Sequence, residues 1–444
     1  MGALAVMPVV GNFLTQPNQP IFLRKNIEHL TKSELDKYIT ALELLGDEEF
    51  ERLADIHGDY CMFSHGYDIF FPWHRSLLYT FEKALQAKVP GVTIPYYDYT
   101  EMPSGKRFPK AFEEAGSILN KRFSGTQFVK NNRRKGSVST PFYDFENGVI
   151  DVINKNPNWY DTNTMHGGSA NGFAGKRTGS GKGAIESPQH DTMHFSNIGG
   201  VMGSTDSAAL DPIFWSFHAY QDLIFELWLK KYGSKGIPEQ ERPLKKIDKE
   251  NVLSIRDIVD TRELGYLYDH PEISSPGSSN LFAGTITAHA GSYAQLNPHV
   301  ARRALNRETF VIQSEDVIVT ENSFMPVTYS VDQFQISDQF NYSGFIFLHP
   351  KGKSYELSEL FIERYLIDNF SVLSMRKMSK GEMQTNMSFD LTEELNRLSE
   401  QSLGAKYTIT ITLLASEATT GKFKPLQKNT TRFFKSTSYN TINQ

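Results

Sequence analysis

Six of the chain's twelve histidines fall into two groups of three. The first is His57-Gly-Asp-Tyr-Cys-Met-Phe-Ser-His65 followed by Phe-Pro-Trp-His74-Arg75. The second is His190-Asp-Thr-Met-His194, joined by His218 at the end of Asp211-Pro-Ile-Phe-Trp-Ser-Phe-His. Three neutral imidazoles suit one borderline metal ion with coordination positions left open, and two such triplets suit two metals with a small molecule between them. A chain built for such a site must bring together segments more than a hundred residues apart. That requirement constrains the fold more than any other feature of the sequence.

The segments around the histidines read as helices. Thr31-Lys-Ser-Glu34 is a capping box ahead of the run Leu35 to Leu45. The stretch from Trp73 has apolar residues at helical spacing and runs toward Pro90. His190 and His194 are four apart, so on a helix they share one face and can grip one metal. Asp211-Pro212 reads as an N-cap with proline at the first helical position. The Gly/Ser-rich stretch 166–183 is not a phosphate-binding loop, because Lys176 and Gly183 stand where that motif needs a glycine and a Ser or Thr. It reads as a mobile loop near the site.

At 444 residues the chain exceeds one ordinary core. The texture changes after about residue 270, where Pro271 to Ser279 is linker-like. From about 308 the pattern alternates, in Thr309-Phe-Val-Ile, Asp316-Val-Ile-Val-Thr, Gly344-Phe-Ile-Phe-Leu and Tyr407-Thr-Ile-Thr-Ile-Thr-Leu-Leu, as antiparallel strands do. The fold class expected is a mainly α catalytic domain, a helix bundle carrying the histidines, followed by a C-terminal antiparallel β domain. The expected boundaries are 1–272 for the core, 273–305 for the linker and 306–444 for the β domain. A net charge of -5 gives no reason to expect nucleic acid or a membrane surface as partner. The N-terminus lacks the basic region of a secretory signal, and a single cysteine, Cys61, cannot form an intrachain disulfide, so a cytoplasmic location is expected.

A lone His-x-x-x-His pair arises readily by chance. Two triplets flanked by aromatic residues do not. The other six histidines (His29, His166, His270, His289, His299 and His349) are scattered and read as surface or satisfied core residues. No Asp or Glu is spaced to build a carboxylate-rich iron or manganese site, which leaves zinc and copper.

These pieces together resemble the type 3 copper proteins: tyrosinases, catechol oxidases and the oxygen-carrying units of molluscan hemocyanin. The resemblance rests on Leu23-Arg-Lys-Asn-Ile-Glu-His-Leu-Thr31, Phe-Pro-Trp-His74-Arg75, Ile94-Pro-Tyr-Tyr-Asp-Tyr99, His190-Asp-Thr-Met-His194 with Gly199-Gly200, Asp211-Pro-Ile-Phe through His218, and Tyr266-Leu-Tyr-Asp269. It covers about residues 22–270. The stretches Ser388-Phe-Asp-Leu-Thr-Glu-Glu-Leu-Asn and Tyr407 to Leu414 look like the β domain that follows the core in latent polyphenol oxidases. The resemblance implies two copper ions, one on His57, His65 and His74 and the other on His190, His194 and His218. It also implies O2 and small phenols as partners, monophenol hydroxylation with oxidation of o-diphenols to o-quinones, and a C-terminal domain that shields the site. The alternatives are a catechol oxidase alone or a hemocyanin-like reversible oxygen carrier; a zinc hydrolase on the same imidazoles is a third class.

The chain departs from the family pattern in several places. His57 and His65 are closer in sequence than in many relatives. Cys61 lies four residues before His65 rather than two, so it reads as a buried free thiol rather than a thioether partner. Phe217-His218 replaces a frequent His-His pair, and Ile-Pro-Tyr-Tyr-Asp-Tyr replaces a version with tryptophans. The resemblance further points to Glu186, with Asp191 where relatives usually have Asn, as a pair that would orient a water and take the phenol's proton. Glu186 also reads as an ordinary first-turn acid. Phe195 and Phe214 are expected at the substrate side, with core packing as the alternative. Asp222 and Arg75 read either as groups that orient the ligands or as a plain salt bridge.

Overall fold

The computed structural model describes residues 20–102, 108–123, 129–130, 132–133, 145–159, 172–176, 181–237, 240–241, 243–244, 247, 253–274, 310–318, 328–335, 337, 339–355, 361, 364–374, 384–391, 395, 398, 403–418, 423–424 and 436–440. The expected linker 273–305, apart from its first two residues, lies outside them, as do His166, His289 and His299.

The helical part begins with strand β1 (Phe22–Arg24) and helices α1 (Lys32–Leu45), α2 (Asp47–Tyr60) and α3 (Phe70–Lys88). Thr31 and Glu34 form the capping box: Glu34 N donates to Thr31 Oγ1 at 3.3 Å and Thr31 N donates to Glu34 Oε2 at 2.9 Å. Gly46, at φ 79°, ends α1 and begins α2, a left-handed turn that only glycine makes without strain. In α2, Phe50, Leu53, Ala54 and His57 are buried at helical spacing, so the apolar face that packs inward also carries the first histidine.

Short strands β2 (Lys121–Arg122) and β3 (Val129–Lys130) and helix α4 (Asp151–Lys155) lead to an irregular helical segment over 186–198. Helix α5 (Pro212–Tyr232) follows, then β4 (Tyr266–Tyr268) and the single turn α6 (Pro271–Ser274). Asp211 caps α5 by accepting from Ile213 N at 3.0 Å, and Arg133 Nε, donating at 2.8 Å, holds the same carboxylate. Nearly every side chain of α5 from Pro212 to Leu229 is buried, so α5 is the central rod of the core rather than a surface helix. Strand β4 pairs in parallel with β1, Phe22 opposite Tyr266 and Arg24 opposite Tyr268, which closes the two ends of the helical part on each other.

That closure surrounds a buried charge network. Asp222 of α5 accepts from Arg75 Nε of α3 at 2.5 Å, Arg24 Nη1 at 3.2 Å, and the Tyr266 and Tyr268 hydroxyls at 2.7 Å each. Arg24 Nε also donates to Glu82 at 2.9 Å, and Arg75 Nη2 to Glu226 at 2.9 Å.

The C-terminal part contains β5 (Phe310–Ile318), β6 (Thr328–Gln335), β7 (Phe340–Pro350), β8 (Leu366–Val372), β9 (Gln384–Asp390), β10 (Lys406–Glu417), β11 (Phe423–Lys424) and β12 (Ser436–Asn440). All their pairings are antiparallel. One sheet runs β11-β10-β7-β8 with β5 also on β10, and the other runs β12-β6-β9. The two short runs expected at 309 and 316 are one strand, β5, with a register shift opposite Thr408 to Thr410 that absorbs the intervening polar residues. Strands β7 and β10 of the larger sheet are buried on both faces. Ile346, Leu348, Ile409, Ile411 and Leu413 pack with Tyr329, Val331 and Phe334 of the smaller sheet. Phe345, Phe347 and Leu414, which alternate with them, join the core of the helical part. The β part is therefore docked on the helices through a shared apolar core.

Replacing Asp222 with Ala would leave Arg24 and Arg75 buried without their common partner. We expect a loss of about 3–5 kcal/mol of folding stability, read as a lower urea midpoint at an unchanged transition slope.

Candidate metal centre

The six histidines come together from four segments. His57 sits in the last turn of α2, His74 in the first turn of α3 and His218 in α5. His65 follows the short turn over Cys61–Phe63, next to Gly66 at φ 73°. His190 and His194 lie on the irregular segment 186–198, whose turns are wider than those of an α-helix, a feature that recurs at functional sites. All six are buried, none more than 5% exposed.

Four of the six rings are held by a contact at Nδ1. His57 Nδ1 faces Thr205 O at 3.0 Å, His74 Nδ1 faces Phe70 O at 2.7 Å, and His194 Nδ1 faces Met202 O at 2.9 Å. A carbonyl oxygen only accepts, so these three Nδ1 atoms carry the proton and their Nε2 atoms carry bare lone pairs. His190 Nδ1 lies 3.0 Å from the Asp191 carboxylate, with the same consequence. Glu186 Oε1 approaches His65 Nδ1 at 3.1 Å, too obliquely for a good hydrogen bond. His218 has a buried Nδ1 without a hydrogen-bond partner; its ring stacks on His74 at 4.5 Å.

The Nε2 atoms then meet. Those of His190 and His194 are 3.0 Å apart, and those of His194 and His218 are 3.2 Å apart. The Nε2 atoms of His57, His65 and His74 are buried with no partner. Two bare nitrogen lone pairs at such a distance repel unless a cation lies between them. A metal bound at about 2.0–2.1 Å to each nitrogen would satisfy them. Burial, with neighbouring histidines adding to it at five of the rings and Lys182 at His65, pushes the His57 pKa down to about 3 and the others well below the ordinary range. The rings are neutral, as metal ligands must be. The donor set therefore fits metal ions.

The second triplet is closed: nitrogens of His190, His194 and His218 lie within 4.8 Å of one another. The first is looser, with ring centroids of His57, His65 and His74 5.1–5.8 Å apart. His218 lies between the two, also within ligand reach of His57 and His74.

Aromatic rings wall this cluster. Phe214 packs on His57 at 4.7 Å and on His218 at 4.2 Å. Phe70 packs on His74 and His190 at 4.7 and 4.9 Å, and Phe217 on His194 and His190 at 5.1 and 5.6 Å. Phe195 is buried, 1% exposed, rather than lining an open mouth. Cys61 is a buried free thiol, its sulfur within 4.8 Å of nitrogens of His57 and His65, and burial raises its pKa to about 12. Arg75 and Asp222 pair with each other rather than with any histidine. The salt bridge between them is buried.

Glu186 and Asp191 are both fully buried. The structure ties both to protein groups. Gly66 N donates to both Glu186 oxygens at 2.9 and 3.0 Å. Lys182 Nζ donates to Asp191 Oδ2 and lies 3.8 Å from Glu186 Oε1. Burial raises both carboxyl groups while Lys182 opposes the rise. Burial acts to lower Lys182 itself, and Asp191 and Glu186 outweigh it to hold the ammonium above its usual value.

Lys182, Phe70 and Phe217 had not been singled out as site residues. Lys182 belongs to the Gly/Ser-rich stretch expected to be mobile. Its described residues, 172–176 and 181–183, form a tight antiparallel arm instead, with Lys176 N donating to Gly181 O at 2.8 Å and Gly181 N to Gly66 O at 3.0 Å. Its one sequence signal was a lysine between two glycines, four residues before Glu186. Of the scattered histidines, His349 is a satisfied core residue bonded to Thr410 Oγ1 at 2.8 Å, and His29 is exposed.

Fold and site together gather two histidine triplets in one helical core, a donor set that could hold metal ions. The family model "Common central domain of tyrosinase" matches residues 47–231. A tyrosinase of a Hahella strain is 30% identical over 234 residues, covering 46% of this chain and 47% of the relative. A chloroplastic polyphenol oxidase of Vicia faba is 26% identical over 304 residues, covering 58% and 49%. The chain thus spans about half the length of these curated relatives. Among solved structures, latent apple tyrosinase superposes with a TM-score of 0.57 at 18% identity, covering 89% of this chain and 95% of that one. A functional unit of octopus hemocyanin gives 0.56 at 17% identity, covering 94% and 98%. Residues 47–231 are thus similar to the central domain of tyrosinase, and the fold is the one shared by these solved structures.

With His194 as the shared contact of its triplet, His194→Ala should lower copper bound per chain from two to one, read by elemental analysis after loading and desalting.

Proposed function

We propose that this protein is a copper-dependent phenol oxidase that hydroxylates monophenols and oxidises o-diphenols to o-quinones. The observation that carries the reading is the convergence of bare, buried imidazole Nε2 atoms from two triplets. In it, His57, His65 and His74 hold one copper ion, and His190, His194 and His218 the other. When bound, the copper pair supplies O2 activation and the transfer of electrons from the phenol.

The chain's own residues do the rest. The carbonyls of Thr205, Phe70 and Met202 fix three rings in the tautomer that leaves Nε2 free to bind. Phe70, Phe214 and Phe217 keep the ligands apart from water and immobile, and we place a planar phenol against Phe214, with Phe195 behind it. We assign Glu186 and Asp191 to orienting His65 and His190. A phenol's proton then passes toward this carboxylate pair at the edge of the centre.

We also propose that residues 306–444 are a cover, joined by a linker at 273–305 to a dicopper core at 1–272. Strand β8 packs beside the segment 186–190 that carries Glu186 and His190. Ser374, just after β8, accepts from Thr205 Oγ1 at 3.0 Å. Small phenols would then gain access when the sheet is displaced.

The test is to load the protein with copper and follow oxygen uptake with a monophenol and with an o-diphenol, before and after limited proteolysis. Low turnover of both that rises at least tenfold on cleavage is expected. A protein that instead binds and releases O2 reversibly and oxidises neither phenol after cleavage would be a carrier, and this reading would fail. Uptake of zinc in preference to copper would sink it as well.

A further inference from the structure

The buried cation of Lys182 faces two carboxylates, and each of these touches a histidine of a different triplet. Lys182 Nζ donates to Asp191, whose other oxygen lies 3.0 Å from His190 Nδ1. It lies 3.8 Å from Glu186, whose nearer oxygen is 3.1 Å from His65 Nδ1. Lys182 is 5% exposed, and both carboxylates are fully buried. A buried ammonium is retained only where charge partners repay its desolvation.

The backbone is built to deliver it. Gly183 stands where a Cβ would lie 2.3 Å from Phe173 O, so the arm carrying Lys182 can run this close to 173–175 only with glycine there. A Cβ at Gly175 would likewise meet Gly181 O at 2.7 Å. The arm is pinned to the turn after His65 by Gly181 N donating to Gly66 O at 3.0 Å, and Gly66 N in turn holds Glu186. One compact unit therefore joins His65, the arm, Glu186 and Asp191.

We propose that Lys182 is a positioning residue for both metal sites, a single cation that holds Glu186 against His65 and Asp191 against His190. Without it, two buried carboxylates would face each other with no cation between them. They would repel, and the two ligands they orient would lose their common anchor. A carboxylate on the far nitrogen of a metal-binding histidine fixes the ring and raises its basicity, and losing such a partner costs about 10–100-fold in metal affinity. Lys182 is placed to act on both histidines at once. This inference rests on the reading of the two triplets as copper ligands.

The test is anaerobic titration of cuprous ion against a chromogenic chelator, for the wild-type chain and for Lys182→Met, Asp191→Asn and the double variant. Wild type should take up two ions. Lys182→Met should bind at least tenfold more weakly, from loss of charge at nearly constant volume. The double variant removes the cation and one of the two repelling carboxylates together, so it should bind more tightly than Lys182→Met, yet more weakly than Asp191→Asn, in which Lys182 still holds Glu186 against His65. Asp191→Asn set against the double variant keeps the comparison available even where Lys182→Met does not fold. Wild-type affinity in Lys182→Met, or a double variant that binds as tightly as Asp191→Asn, would overturn the proposal. Failure of the wild-type chain to take up two ions would instead remove the copper reading beneath it.

Discussion

The Arg75–Asp222 pair sets the register on which the site depends. Arg75 is the residue after His74 on α3, and Asp222 lies one turn beyond His218 on α5. Locking these two side chains at 2.5 Å fixes how α3 and α5 slide past each other, and the imidazoles of His74 and His218 then stack at 4.5 Å. Arg24, Tyr266 and Tyr268 complete the shell of donors around Asp222, so the pairing of β1 with β4 at the ends of the helical part bears on the same point. A buried carboxylate with so many donors stays ionised, and Arg75 and Arg24 hold its pKa low against the opposing effect of burial. The pair is remote from the reactive groups in chemistry and adjacent to them in structure.

Around that frame, the site concentrates groups that destabilise one another when no metal is bound. Six neutral rings are buried, two carboxylates sit beside them, and a lysine is buried with the carboxylates. The ligand orientations come mostly from backbone carbonyls, which cannot titrate or swing, and the two carboxylate contacts fall on His65 and His190, outside regular α-helix. Where the backbone is regular, a carbonyl one turn away suffices, as Phe70 O does for His74. At His65 and His190 a carboxylate lies beside the ring instead, and Lys182 supplies its counter-charge.

The β part bears on the same elements. In its larger sheet, strands β7 and β10 pack on the smaller sheet with one face and on the helices with the other. Thr205 joins the two parts: its carbonyl orients His57 and its hydroxyl donates to Ser374. Displacing the sheet would therefore disturb the support of His57. That coupling follows from contact alone and does not require any β-part side chain to enter the site.

Much of this was legible in the chain. The capping box at Thr31, the Asp211-Pro212 start of α5, the alternating strands after 308 and the six histidines are local patterns, fixed by the chemistry of a few neighbouring residues. What the residues touch was not legible. Lys182 reads locally as one basic residue in a glycine-rich stretch, and Phe217 as a substitution beside His218. Glu186 and Asp191 could be named as a pair, yet their partners, Gly66 and Lys182, come from chain that sequence spacing does not relate to them. Likewise Arg75 and Asp222 could be singled out but not paired with Arg24 and two tyrosines. The sequence by itself determined the elements, the donor atoms and the class of metal they suit, because helix periodicity and imidazole chemistry act over a few residues. Only the tertiary structure decided which nitrogens face one another, which carbonyls and carboxylates hold them and what lies over the centre, because burial and close contact between distant segments arise only when the chain is packed.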